Sequence, residues 1–386
     1  MVQQLGIGFD GMFHLYIALG FVFLLWRFIG PMKVHKPFKW FIATIFLFIS
    51  QYHLIQIQIF GTMFSPELPR WLVILLGWAF CTFVLIVAIT LIKDLLSLVL
   101  FFINKRKKWA VHRHNVCSVI TLLLSTSFAG IGVNNAIQVP KVRKLDLTLH
   151  EWPIALNGLR VVQLTDLHVS TLFPESWTQS VVKQVNALDP DVILITGDFI
   201  DGTVQDRDKD IQPLKNLKAR YGTYGVLGNH EYYFNAMDWN KHFEMLGITI
   251  LNNEHRTLNI RDSLLTLAGV TDESAKQFDL PTPDIPTALK DVPSSVPIIL
   301  MKHQPSDAAL ADKQGVALQL SGHTHGGMIL GLNQIAKYAN QGFISGLYQL
   351  PTMQLYVSNG AALWNGFPIR LGVPAEITEF TLYLSK

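Results

Sequence analysis

Thiols are scarce in this 386-residue chain: there are only two, Cys81 and Cys117, and both lie in apolar stretches. Everything after Cys117 therefore lacks a disulfide, a thiolate metal ligand and a cysteine nucleophile. Charge is sparse too, at 15% of residues, against about a quarter in an ordinary soluble domain. The net charge of +3 is too small to attract a polyanion, and its cations gather beside apolar segments, so no nucleic-acid partner is expected. The chain is rich instead in apolar residues, half of the total, concentrated before about residue 135. Its length argues for two units rather than one core.

Crossing a bilayer takes about 20 mostly apolar residues in a helix. Four segments approach that length: Met12–Phe28, Phe38–Phe60, Trp71–Ile92 and Val116–Val133. Residues 1–135 are thus expected to form an all-α transmembrane region of about four helices. The second segment is the most polar, with Gln51, His53, Gln56 and Gln58, which read as helix-to-helix hydrogen bonding before any function. Apolar character continues past Lys93-Asp94 to Ile103, so the third helix either projects from the bilayer or is followed by a piece, Leu95–Ile103, lying along its surface.

Orientation follows from Lys and Arg in the short links. Lys33, Lys36 and Lys39, with Arg27 at the edge, fill the first link, and Lys105, Arg106, Lys107, Lys108 and Arg113 fill the third. The stretch before Met12 has no Lys or Arg, and the second link has Arg70 alone. A multi-pass cell-membrane protein with its downstream domain outside the cytoplasm is expected, against a weaker pull from Lys141, Arg143 and Lys144.

A linker and first strand (136–158) lead into a domain over 159–386. There, short apolar runs at Leu159–Leu164, Val192–Thr196, Tyr224–Leu227, Ile298–Met301 and Ala317–Leu320 alternate with amphipathic stretches such as Pro174–Leu188. Strands alternating with helices imply an α/β fold, in which ligands gather at the carboxyl ends of strands. Five clusters of His, Asp and Asn sit at such ends: Asp166-Leu167-His168, Gly197-Asp198, Gly228-Asn229-His230-Glu231, His303 and Gly322-His323-Thr324-His325.

Carboxylate, imidazole and amide oxygen together suit borderline-hard divalent metals such as Mn, Fe or Zn. Asp166 and His168, two apart on an extended segment, would project to the same side and grip one ion. Asp198 has two oxygens with which to bridge two ions, Asn229 offers a neutral oxygen, and His323 and His325 again point alike. Two metals about 3.5–4 Å apart form the usual clamp for in-line attack at phosphorus by a metal-bridging water. His230, directed differently from Asn229, is the candidate to protonate the leaving oxygen or steady the transition state. Asp201 and Glu231 read as acceptors that orient the ligand histidines. Phe173, Trp177 and Trp364 are candidates for an aromatic substrate rim, or else core residues. Singly, most of these clusters are ordinary turns or helix caps. The run Gly-His-Thr-His-Gly-Gly is specific by itself, and the ordered set makes the ordinary reading improbable.

These motifs resemble the calcineurin-like metallophosphoesterase superfamily over Leu159–Leu384, whose pattern is Asp-x-His, Gly-Asp, Gly-Asn-His-Glu/Asp, a lone His and Gly-His-x-His. The resemblance implies a two-sheet α/β sandwich flanked by helices. It implies Asp166, His168, Asp198 and His325 around one metal and Asp198, Asn229, His303 and His323 around the other, with His230 as the catalytic histidine. The likeness is to a bacterial membrane-associated branch, through Gly326-Gly327, Lys337-Tyr338, Gly346-Leu347-Tyr348, Arg370, Pro374 and Glu376-Ile377; Met328 stands where that branch commonly has Gln. The expected activity is hydrolysis of a phosphomonoester, phosphodiester or pyrophosphate bond outside the cytoplasm. The bilayer is a partner, and its anchor points to a substrate such as a phospholipid or lipid-linked sugar phosphate. Two other readings are open: cleavage of a nucleotide-diphosphate-linked lipid on the cytoplasmic face, and a non-enzymatic metal-dependent receptor.

Overall fold

The computed structural model describes residues 9–104 and 115–385. They form two compact units, one comprising the chain up to Asn134 together with Asn365–Ile369, the other Asn135–Trp364 and the chain from Arg370 onward.

The first unit is helical: α1 (Phe9–Leu24, prolonged by a π-turn at Leu25–Ile29), α2 (Lys36–Ser50), α3 (Tyr52–Phe60), α4 (Arg70–Asn104) and α5 (Asn115–Ala136), whose end enters the second unit. Two helices, Arg70–Ile103 and Asn115–Ala136, are long and apolar enough to cross a membrane; α2 and α3, bent by 52°, make a third if counted as one span. The expected first span is a shorter apolar helix, Phe13–Ile29. The bend in the second has a local cause. Ser50 Oγ donates to the Leu47 carbonyl at 2.8 Å and Gln51 Nε2 to Ser50 Oγ at 3.2 Å, side-chain bonds that compete with the helical ladder. In contrast, α4 is unbroken for 35 residues, about 52 Å at 1.5 Å per residue, so Leu95–Ile103 extends the helix rather than forming a separate surface piece. Asp94 within it accepts from Arg27 Nε at 2.6 Å. The basic link of Lys105, Arg106, Lys107, Lys108 and Arg113 lies outside the described residues.

The polar residues of the second segment differ in setting, with Gln51 half-buried and Gln58 exposed. His53 and Gln56 are buried, and His53 Nε2 lies 2.9 Å from the Gly366 carbonyl oxygen. Asn365 donates to the Phe64 carbonyl at 2.7 Å. Nothing in the sequence announced that Asn365–Ile369 would leave the expected 159–386 domain to pack here.

The second unit holds two six-stranded sheets. The first, in order β1-β12-β2-β3-β4-β5, is built from Lys141–Leu149, Glu376–Leu384, Leu159–Leu164, Val192–Thr196, Thr223–Val226 and Ile248–Ile250. The second, in order β10-β11-β9-β8-β7-β6, takes Gly346–Gln349, Gln354–Val357, Leu318–Ser321, Ile298–Met301, Ser263–Gly269 and Glu254–Ile260. β2, β3, β4 and β5 run parallel, as do β8 and β9, so five strand ends that carry motifs open in matching directions within each sheet. Parallel strands need crossovers; α6 (Glu175–Ala187) and α7 (Val204–Ile211) supply two of them. The strands are apolar because both faces are covered: every residue of β3 and β8 is buried. One cluster drawn from both sheets, including Val161, Leu194, Val226, Leu267, Met301, Leu320, Tyr356 and Phe380, forms the core. Each such side chain contributes about 1.5–3 kcal/mol by leaving water.

Candidate metal centre

Each motif begins where a strand stops: Asp166 and His168 after β2, Asp198 after β3, Asn229 and His230 after β4, His303 after β8, His323 and His325 after β9. The expected extended run through Asp166 and His168 is absent. Both have left-handed backbone (φ 53° and 41°), as do Asp198 (53°), His323 (68°) and His325 (49°). That conformation costs about 1–3 kcal/mol at a non-glycine residue and persists only where its surroundings over-determine it. Here the loops bond one another: Asp166 N donates to Gly197 O at 3.0 Å, His168 N to Asp198 O at 3.1 Å and Gly322 N to His303 O at 2.9 Å. Glycine permits the closest approach. A Cβ on Gly197 (φ 91°) would lie 2.6 Å from His303 Nδ1 and 2.7 Å from Gly228 N.

All seven residues read as ligands converge. Asp166, His168 and His325 form one group, and Asp198, His303 and His323 another, with ligand atoms within 4.8 Å of each other in each. Asp166 Oδ1 is 3.9 Å from His168 Nε2 and 3.6 Å from His325 Nε2. Asp198 Oδ2 lies between the groups, 3.7 Å from His168 Nε2 and 3.2 Å from His303 Nε2. Asn229 Oδ1 is 2.9 Å from His323 Nδ1 and 3.2 Å from His303 Nε2, on the second group's side. His323 and His325 thus serve different groups, a consequence of their left-handed turns rather than of simple alternation.

Burial would raise the Asp198 carboxyl, but His303, His230 and His168 outweigh it and hold it well below the usual range. His303 rises well above the ordinary imidazole range because Asp198 and Asp166 overcome its own burial. Burial, His168 and Arg370 press His325 well below it. His168 Nε2 is buried and receives no hydrogen bond. A buried polar atom left so costs about 1–3 kcal/mol. An unpartnered imidazole nitrogen facing two buried carboxylates fits a divalent cation, and the oxygen and nitrogen donors are of the right kind.

His230 also lies here, grouped with His168 and Asp198. Its Nδ1 is bonded to Asp201 Oδ1, and its Nε2 is 4.0 Å from Asp198 Oδ2. Burial pulls its pKa down, but Asp198 and Asp201 prevail and push it up to about 9. Asp201 Oδ1 also meets His168 Nδ1 at 3.3 Å, so one carboxylate oxygen contacts two histidines. Glu231 does something else than expected. Among the described residues its hydrogen bonds go not to a ligand histidine but to the backbone N–H groups of Asp198 (3.0 Å), Phe199 (2.8 Å), Ile200 (3.2 Å) and Gly228 (2.7 Å), clamping two loops together.

Phe173 and Trp177 form no rim. Both are buried with ring centroids 4.9 Å apart, and Trp177 Nε1 donates to the Gln138 carbonyl, because α6 presses this face into the core. Trp364 is half-buried beside the departing segment. Sequence reasoning quoted Arg370 as a mark of the bacterial branch without giving it a role, and passed over Thr165. The buried Arg370 guanidinium donates to the carbonyls of His325 (3.4 Å), Asn359 (2.7 Å), Gly360 (3.3 Å) and Ala362 (2.8 Å). In turn Ala361 N and Ala362 N donate to Thr165 O and Asp166 O. Thr165 Oγ1 donates to Asp166 Oδ2 at 2.8 Å. The signal for the first was its place in the block with Pro374 and Glu376-Ile377.

Residues 159–327 match the family described as calcineurin-like phosphoesterase. A transmembrane protein with metallophosphoesterase domain from Danio rerio is 35% identical over 274 residues, 69% of this chain and 62% of that protein, so the chain spans about three fifths of its length. An uncharacterised metallophosphoesterase of Campylobacter jejuni is 34% identical over 299 residues, covering 76% of this chain and 77% of that one. A solved putative 5'-nucleotidase from Staphylococcus aureus is similar at a TM-score of 0.38 and 11% identity, over 53% of this chain and 49% of that one. The chain belongs to the calcineurin-like metallophosphoesterases. Its metallophosphoesterase domain and its homologues indicate a metal-dependent phosphoesterase hydrolase.

Proposed function

We propose that the centre holds two divalent ions, with Asp166, His168, Asp198 and His325 around one and Asp198, Asn229, His303 and His323 around the other. The observation that carries this is the Asp198 carboxylate, whose Oδ2 has His303 on one side and His168 on the other. When bound, such ions supply Lewis acidity at the phosphoryl group and a nucleophile at neutral pH.

The chain's own groups divide the remaining work. Asp201 fixes His230 by Nδ1 and favours its imidazolium, so His230 carries a proton at neutral pH and delivers it from Nε2 to the leaving oxygen. Glu231 and Arg370 hold the loops that carry Asp198 and His325 in register. The reaction in this reading is hydrolysis of a phosphomonoester, phosphodiester or pyrophosphate of a substrate carried in or near a bilayer. Anchoring falls to residues before about 135 and to Asn365–Ile369, and chemistry to the rest of 159–386. The catalytic unit faces away from the cytoplasm, supported by Lys33, Lys36 and Lys39 in one short link.

The test is turnover of generic phosphate monoesters and diesters by the full chain in detergent, with Mn, Fe or Zn added in turn. Hydrolysis that is lost in Asp198→Asn supports the reading. A folded protein inactive with every ion overturns it. A reporter fused after Lys386 that matures only in the cytoplasm overturns the orientation alone.

A further inference from the structure

Past the last metal-centre histidine the chain does something unusual for a folded unit. The segment after His325 turns through Gly326 and Gly327 into a short helix (Asn333–Ala339), and shows its apolar side chains outward. Leu330 is 71% exposed, Leu332 44%, Ile335 70% and Tyr338 91%. A surface helix ordinarily turns its apolar stripe to the core. Scattered exposed leucines mean little, but four large apolar side chains within nine residues make a patch that water disfavours by about 25 cal/mol per Å².

We propose that this patch is a docking surface for a lipid bilayer. Three observations favour lipid over a protein partner. First, the segment itself has no Asp or Glu between Asp312 and Glu376, while Lys337 is exposed on its helix, so this stretch presents a cation and no carboxylate of its own to an anionic headgroup layer. Second, Tyr338 has the apolar body and polar tip that favour the membrane–water interface. Third, the patch is bonded to chain that emerges from the apolar helical unit. Leu330 N donates to Leu371 O at 2.9 Å and Leu371 N to Met328 O at 3.0 Å, and only Arg370 separates Leu371 from Asn365–Ile369, which belongs to that unit. Docking here brings the loop of His323 and His325 to the lipid surface, where a phosphate ester borne by a lipid is presented. The proposal concerns the surface and stands apart from which bond is cleaved.

The experiment places a spin label at Ile335→Cys in the full chain, with Cys81 and Cys117 replaced by Ala, in nanodiscs of phosphatidylcholine and phosphatidylglycerol. Collision with oxygen, which concentrates in lipid, is compared with collision with a water-soluble nickel complex; Lys209→Cys on α7 is the hydrated control. The expected result is an oxygen-to-nickel ratio several-fold higher at 335 than at 209. Equal ratios overturn the proposal, and so does spin–spin broadening that fades as empty nanodiscs dilute the protein, which would assign the patch to a second copy. As a second variant, Leu330→Ser with Ile335→Ser and Tyr338→Ser should keep full turnover of a soluble phosphate ester and lose most turnover of a phosphatidic acid in the nanodisc. Equal loss on both substrates overturns it. Absence of all turnover would count against the proposed reaction, while the label ratio would still decide the docking surface.

Discussion

Asp201 and His230 are joined Oδ1 to Nδ1, both buried, with the same aspartate oxygen reaching His168 as well. One carboxylate thus adds to Asp198 in favouring the protonated form of a candidate acid and contacts a candidate ligand. Asp201→Asn removes the charge and keeps the shape. His230 is raised above its ordinary value to about 9, so activity that needs its proton is present at neutral pH and lost as pH rises through about 9. In Asp201→Asn that alkaline limb should move to lower pH. A pH–rate profile whose limb stays in place would exclude Asp201 as its cause.

His230→Asn should lower kcat by about 10²–10⁴ for esters with poor leaving groups and much less for esters whose leaving oxygen needs no proton. Comparing alkyl and nitrophenyl phosphates checks this. Equal losses on both would assign His230 to ligation, which its grouping with His168 and Asp198 also permits geometrically.

Asp198→Asn should change metal content rather than only rate, because its carboxylate faces both ligand groups. Elemental analysis of purified protein should show fewer bound ions per chain than in the unaltered protein. Asp166→Asn removes a carboxylate from one group only, and should leave more metal than Asp198→Asn does.

Arg370→Ala should destabilise the catalytic unit by about 3 kcal/mol, as two of its bonds, to Asn359 and Ala362, are short and charge-assisted at about 1.5 kcal/mol each. Arg370→Lys should recover part of that. Denaturant unfolding followed by tryptophan fluorescence reads both.

A pH effect on stability is expected from the ion pair of Lys302, the residue before His303. Buried Lys302 meets Glu273 at 2.5 Å. Burial would raise the Glu273 carboxyl, but Lys302 outweighs it and leaves it below its ordinary value. A depressed carboxylate stabilises the fold above its unfolded pKa and loses that contribution as pH falls through its folded one. Glu273→Gln should therefore be less stable at neutral pH and approach the unaltered protein in acid, as melting temperatures across pH will show.

Some of this architecture was readable in the chain because it is written in short-range pattern. β2, β3 and β8 are bracketed apolar runs, and their bounds follow from burial on both faces. The polar alternation of Glu254–Ile260 hid an antiparallel hairpin with Ser263–Gly269. The pairing of Lys141–Leu149 with Glu376–Leu384 joins residues too far apart for local pattern to reveal. The candidate ligands stood out as motifs, whereas their left-handed backbone did not, because alternation assumes an extended chain. Phe173 and Trp177 were ambiguous for a simple reason: an aromatic after a motif has the same letter whether it lines a pocket or fills a core.

The left-handed turns at Asp166, His168, Asp198, His323 and His325 carry one more implication. Asn, Asp and His tolerate that twist better than bulkier residues do, quite apart from what they coordinate. Backbone shape and ion chemistry thus select the same few amino acids at these five places. A cautious swap such as Glu for Asp or Gln for His would be refused twice, once by the missing donor geometry and once by the bend of the main chain beneath it.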